Sequence, residues 1–148
     1  MKIAIGSDHA GFSLKEFIKD YLQSKDHQVT DNGACSEERA DYPDYAHPTA
    51  CQLISGEVDL GIVICGSGNG INMTVNKYAQ IRSALCWTEE LAALARQHNN
   101  ANVLALPARF ISKEVAIACV DAFLGSDFEG GRHEARVAKI SSGIQDCK

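Results

Sequence analysis

The stretch LGIVICGSGNGI, residues 60–71, decides how this chain folds. Leu60 to Cys65 is an unbroken apolar run, as expected for a central parallel strand buried on both faces. Glycines 66, 68 and 70 follow at once, so the chain leaves the strand through a turn without side chains at alternate positions. Two familiar motifs fail here. A dinucleotide fingerprint needs a third glycine where Ile71 stands, and a nucleophile elbow needs serine where Gly68 stands.

Outward from this strand, the pattern alternates. KIAIG (2–6), HQVTDNG (27–33), RSALCW (82–87) and ANVLAL (101–106) read as four more strands. Helical spacing predicts helices over 10–25, 70–78, 88–98 and 112–125, with a last helix starting near Arg132. Residues 36–45 read as a polar loop, and the helix after it, ending near Ser55, is broken or begun near Pro48. Parallel strands need crossover helices. The expectation is therefore one domain over 1–148, a Rossmann-like three-layer α/β/α sandwich around a five-stranded parallel sheet with a C-terminal helix. Ligands in such sheets bind where strand carboxyl ends meet helix amino ends, which singles out 7–11, 33–44 and 65–70.

Bulk properties narrow the function. With a net charge of −5 and no basic run longer than a pair, the chain is a poor candidate for binding nucleic acid or an anionic membrane. The opening MKIAIGSDHAGF is too short in apolar residues for a signal peptide, and no run approaches the ~20 residues of a membrane span. The expected location is cytoplasmic, with the six cysteines reduced. Neither C-x-x-C nor H-x-x-x-H occurs, which argues against a structural metal site.

Four groups of residues carry chemistry. In GSDHAG (6–11), Ser7 or Asp8 serves either as a plain helix cap or, with His9, as part of an anion site at a helix amino end. In the glycine loop, three glycines exceed what one turn needs. Amide hydrogens there can converge on an oxyanion or phosphate, and Cys65 enters the loop where a helix dipole favours thiolate. Cys51, Cys86 and Cys119 lie in apolar segments and read as core. In RQHNN (96–100), His98 is either an exposed partner for a helix carboxyl end or a catalyst. Because it precedes the fifth strand, it sits at the opposite edge of the sheet from Cys65. A site using both must be shared across a dimer interface. In GGRHEARVAK (130–139), Arg132 and Arg136 share one helix face, either solvated beside Glu129 or Glu134 or acting as a phosphate clamp that Arg109 could join.

Together, GSDHAG (6–11), DYPDYA (41–46), ICGSGNGI (64–71), NK (76–77), RQHNNAN (96–102) and GGRHEARV (130–137) resemble the ribose-5-phosphate isomerase B family, which also contains allose- and galactose-6-phosphate isomerases. The resemblance spans nearly the whole chain. It implies cofactor-free interconversion of ribose 5-phosphate and ribulose 5-phosphate by a dimer or dimer of dimers, without metal, and a strand order of 2-1-3-5-4. Carried over, Cys65 is the base, Gly66, Ser67, Gly68, Asn69 and Gly70 stabilise a cis-enediolate, and His98 assists ring opening with Asp8 as helper. His9, Arg132 and Arg136 hold phosphate, and Tyr42, Asn99 and Arg109 contact substrate. Some members lack the cysteine and carry glutamate directly after the loop. Ile71 occupies that position here and leaves Cys65 as the local base. Ser67 replaces a common threonine, and Pro107 a common glycine before Arg109.

Overall fold

The computed structural model describes residues 1–142; Cys147 lies outside them. The strands are β1 (Lys2–Ser7), β2 (Gln28–Asp31), β3 (Leu60–Cys65), β4 (Ser83–Leu85) and β5 (Val103–Pro107). They form one parallel sheet in the order β2-β1-β3-β5-β4, the order the family resemblance implies. The helices are α1 (Phe12–Ser24), α2 (Tyr42–Ile54), α3 (Asn69–Val75), α4 (Glu89–Asn99), α5 (Lys113–Gly125) and α6 (Arg132–Ser142).

Alternation along β3 and β5 divides the core. Ile62, Ile64, Leu104 and Leu106 face one layer, where Ile18 and Leu22 of α1, Ala92 of α4, and Val120 and Phe123 of α5 pack on them. Val63, Cys65, Val103 and Ala105 face the other, under Ala46 and Ala50 of α2 and Ile71 and Val75 of α3. Period-two alternation sends neighbouring residues to opposite faces, so an uninterrupted apolar run needs helices on both sides.

Two sequence expectations are corrected. Helix α2 begins at Tyr42, inside the segment read as loop, and runs through Pro48 without breaking. Pro43 sits in its first turn, where a missing N–H costs nothing, while buried Ala46, Thr49 and Ala50 hold the helix on the sheet past the second proline. Cys51 is exposed on the outer side of α2 and does not belong to the core, whereas Cys86 and Cys119 are fully buried.

One charge is enclosed. The Lys15 side chain has 0% exposure, and its ammonium donates to Asp31 at 2.6 Å and Glu16 at 2.8 Å. Burial pushes the Asp31 carboxyl up, but hydrogen bonds from Lys15, the Gly33 N–H and Lys19 outweigh it and hold the group below its ordinary value. A depressed carboxyl contributes stability that is present above its unfolded pKa and is lost as pH falls through its folded value. The melting temperature of the native chain is therefore expected to drop on acidification below about pH 4, beyond the general acid loss seen in Asp31→Asn. At neutral pH, urea denaturation should show Asp31→Asn less stable by about 3 kcal/mol, because Lys15 would keep its burial and lose its main partner.

Candidate active site

The order of the sheet makes a crevice at its centre. After β1 the chain turns to α1 on one face, and after β3 it turns to α3 on the other, so the carboxyl ends of these adjacent strands open a cleft between them. Asp8, His9 and the 66–70 loop lie at this cleft.

Asp8 is buried. Its N–H donates to the Ile64 carbonyl at 3.2 Å, and its carboxylate accepts from the Gly11 N–H at 2.9 Å, capping a short 3-10 turn over His9–Gly11. The capping reading thus holds for Asp8, while Ser7 is fully buried with its hydroxyl unpartnered. His9 Nδ1 lies 3.0 Å from the Ala40 carbonyl, which ties the turn to the segment entering α2.

Cys65 ends β3 with 4% of its surface exposed, packed among α2 and α3. Ile71 is fully buried beside it, so the position that an acid would need belongs to the core. The loop between them is shaped by contacts a side chain would break. Gly68 has φ +72° and caps α3, and a Cβ there would fall 2.4 Å from Leu85 Cδ1. A Cβ on Gly70 would fall 2.5 Å from the Tyr42 ring, which therefore lies flat against the loop. Across the loop, the Arg109 N–H donates to the Gly66 carbonyl at 3.0 Å, and the guanidinium lies along Gly66. Ser67 and Asn69 are exposed and line a cavity of about 450 Å³ with Leu85, Trp87, Pro107 and Phe110.

The other predicted residues form a second cluster. Val103 pairs with Gly61 and Pro107 with Cys65, so the end of α4 that precedes β5 lies at the amino edge of the sheet. The two edges are separated by four residue steps, about 13 Å of strand. At the amino edge, His98 stacks on His133 with ring centroids 4.3 Å apart and planes 9° apart. Asn99 is exposed at the end of α4. Arg132 and Arg136 are exposed on α6, and among the described residues neither makes an ion pair; Glu129 faces the two imidazoles instead. Burial, then the neighbouring His98 and Arg132, push the His133 imidazole below its ordinary value.

The structure thus gathers Asp8, His9, Tyr42, Cys65 to Gly70 and Arg109 at one edge and His98, Asn99, Arg132 and Arg136 at the other. It does not join them within one chain. Sequence reasoning missed Trp87 and Phe110 at the mouth of the cavity, and it missed His133 and Glu129 beside His98. The spacing E-x-x-x-H at 129–133 was the available signal for the latter pair.

The model of the ribose/galactose isomerase family matches residues 3–140. The chain belongs to that family. Ribose-5-phosphate isomerase B of Escherichia coli is 48% identical over 141 residues, covering 95% of each chain. The crystal structure of a ribose 5-phosphate isomerase from Thermotoga maritima superposes with a TM-score of 0.93 at 52% identity, covering 95% of this chain and 97% of that one. Ribose-5-phosphate isomerase B from Mycoplasma genitalium, solved with bound ribulose-5-phosphate, superposes at 0.91 with 44% identity over 98% and 97% of the two chains.

Alkylation separates the cysteines. Burial raises the Cys86 thiol to about 12, with Cys119 adding to it, and raises Cys119 to about 11. In the native protein at neutral pH, iodoacetamide is expected to modify the exposed Cys35 and Cys51 and to spare Cys86 and Cys119, as read by peptide mass spectrometry.

Proposed function

We propose that this chain is a cofactor-independent aldose-ketose isomerase interconverting D-ribose 5-phosphate and D-ribulose 5-phosphate in the cytoplasm. The observation that carries the reading is Cys65 at the end of β3, running directly into five residues with three glycines, in a family member whose relative holds ribulose-5-phosphate.

The chemistry follows from these groups. The Cys65 thiolate removes the proton from C2 of the open-chain aldose, and the electron pair of that C–H bond moves into the C1–C2 bond while the C1 carbonyl becomes an oxyanion. The resulting cis-enediolate is stabilised by amide hydrogens of residues 66–70 and the Ser67 hydroxyl. Delivery of the sulfur-bound proton to C1, with the O2 hydroxyl proton passing to O1 and the C2–O bond becoming the carbonyl, gives the ketose. No covalent bond to sulfur is needed. A positioned base contributes ~10²–10⁴-fold, and each preorganised donor about 3 kcal/mol of transition-state stabilisation.

The two clusters at opposite sheet edges support a site completed by a second copy of the chain. His98 of one protomer would assist ring opening against the Cys65 loop of its partner, with Asp8 helping, and Tyr42, Asn99 and Arg109 contacting substrate. His9, Arg132 and Arg136 would hold the phosphate. That both arginines are exposed and make no ion pair among the described residues fits that assignment better than a solvated ion-paired face.

Three outcomes are expected. Cys65→Ala should lose about 10²–10⁴ in kcat while keeping substrate affinity in calorimetry, and unchanged turnover would remove Cys65 as the base. Inactive Cys65→Ala and His98→Ala chains, unfolded and refolded together, should regain roughly a quarter of wild-type activity, because half the dimers are mixed and each mixed dimer has one intact site. No recovery would mean that sites are not shared in this way. A hexose 6-phosphate isomerase with the same mechanism is the rival reading. Steady-state kinetics on ribose 5-phosphate and allose 6-phosphate side by side should favour the pentose by at least about tenfold in kcat/KM.

A further inference from the structure

We infer that His98, Glu129 and His133 form a binding site for a borderline divalent cation such as Zn²⁺ or Co²⁺, and that filling it switches the isomerase off. The His98 and His133 Nε2 atoms lie 3.8 and 3.7 Å from the same Glu129 Oε2. All three donor atoms fall within 4.8 Å of one another. Two imidazole nitrogens and one carboxylate oxygen are the donor set with which many zinc enzymes hold their ion, leaving a fourth position open.

The fold assembles this trio from separate elements. The Glu129 N–H donates to the Gln97 carbonyl at 3.0 Å, which pins the chain before α6 to the end of α4. Gly130 and Gly131, with φ of +66° and +55°, then turn the backbone so that His133 comes up beneath His98. His133 is held in place by burial, with 7% of its side chain exposed, whereas the Glu129 side chain is 53% exposed and can adjust. Tetrahedral bonds of about 2.0 Å require donors about 3.3 Å apart. Closing the site takes a shift of about half an ångström in the Glu129 carboxylate. It also takes a turn of the His98 ring, whose side chain is 35% exposed, out of its stack on His133, so that both Nε2 lone pairs meet at the ion. The Arg132 Nε–H donates to His133 Nε2 at 3.5 Å, so the exposed guanidinium must swing away to free that nitrogen, and the Glu129 charge offsets its repulsion of a cation.

An ion on His98 Nε2 would take one of the two ring nitrogens and fix the imidazole away from the proton exchange that ring opening asks of it. This second half of the inference rests on the proposed function, whereas the metal site does not. It is also separate from any cofactor role, since the ion inhibits and a chelator restores.

The test is titration of the whole protein with Co²⁺, followed by visible absorption, together with inhibition by Zn²⁺. One Co²⁺ per chain is expected, with bands of a nitrogen and oxygen environment and no thiolate charge-transfer band. Glu129→Gln, on an exposed side chain, and His133→Asn should each weaken binding at least about tenfold with circular dichroism unchanged. In wild type, Zn²⁺ should abolish turnover reversibly, and Glu129→Gln should keep its basal rate and require at least about tenfold more Zn²⁺. Absence of saturable binding, a thiolate band, or Glu129→Gln binding as wild type would overturn the site. Site-specific binding without loss of turnover would overturn the inhibitory step and count against His98 as a catalyst, leaving the metal site intact.

Discussion

The burial of β3 on both faces is the constraint on which the remainder depends. A strand of six buried residues with no polar face is stable only between two layers of helix, and parallel neighbours on each side satisfy its backbone. Once α1 and α5 cover one face and α2 and α3 the other, the chain after β1 and the chain after β3 must depart in opposite directions. The gap left between them receives Asp8 and the glycine loop. Cys65 belongs to both worlds, because it is the last residue of the strand and the first residue of the cleft.

The same constraint explains why glycine recurs in the loop. A chain leaving a sealed strand must turn at once into α3, with Leu85 and Leu106 on one side and Tyr42 on the other. Side chains at 68 and 70 would collide with these neighbours. Their absence leaves the backbone amides of the loop as its chemical surface, next to a thiol that the core holds still.

Much of this was legible in sequence, and the losses have specific causes. The continuous run at 60–65 announced a buried strand, and strand-helix alternation announced the layers. The extent of α2 was hidden because two prolines in its sequence argue locally against a helix, while its buried Ala46, Thr49 and Ala50 act through packing on the sheet. Cys51 misled for the opposite reason: an apolar local context does not say which side of an amphipathic helix faces water. Trp87 and Phe110, each following the end of a strand, read as ordinary apolar residues until the sheet brought their ends together around Ser67.

By itself the sequence determined the fold class, the identity of the loop and its cysteine, and the placement of His98 at the edge remote from Cys65. The last follows from chain direction alone, since a residue before a parallel strand and a residue after one must lie at opposite ends of the sheet. Tertiary structure alone decided that Ile71 is core, that Asp8 caps a turn, and that His98, Glu129 and His133 converge. Those facts depend on which side chains meet across tens of residues. Local periodicity reports the face a residue occupies within its own element, and only packing of elements against one another decides what that face touches.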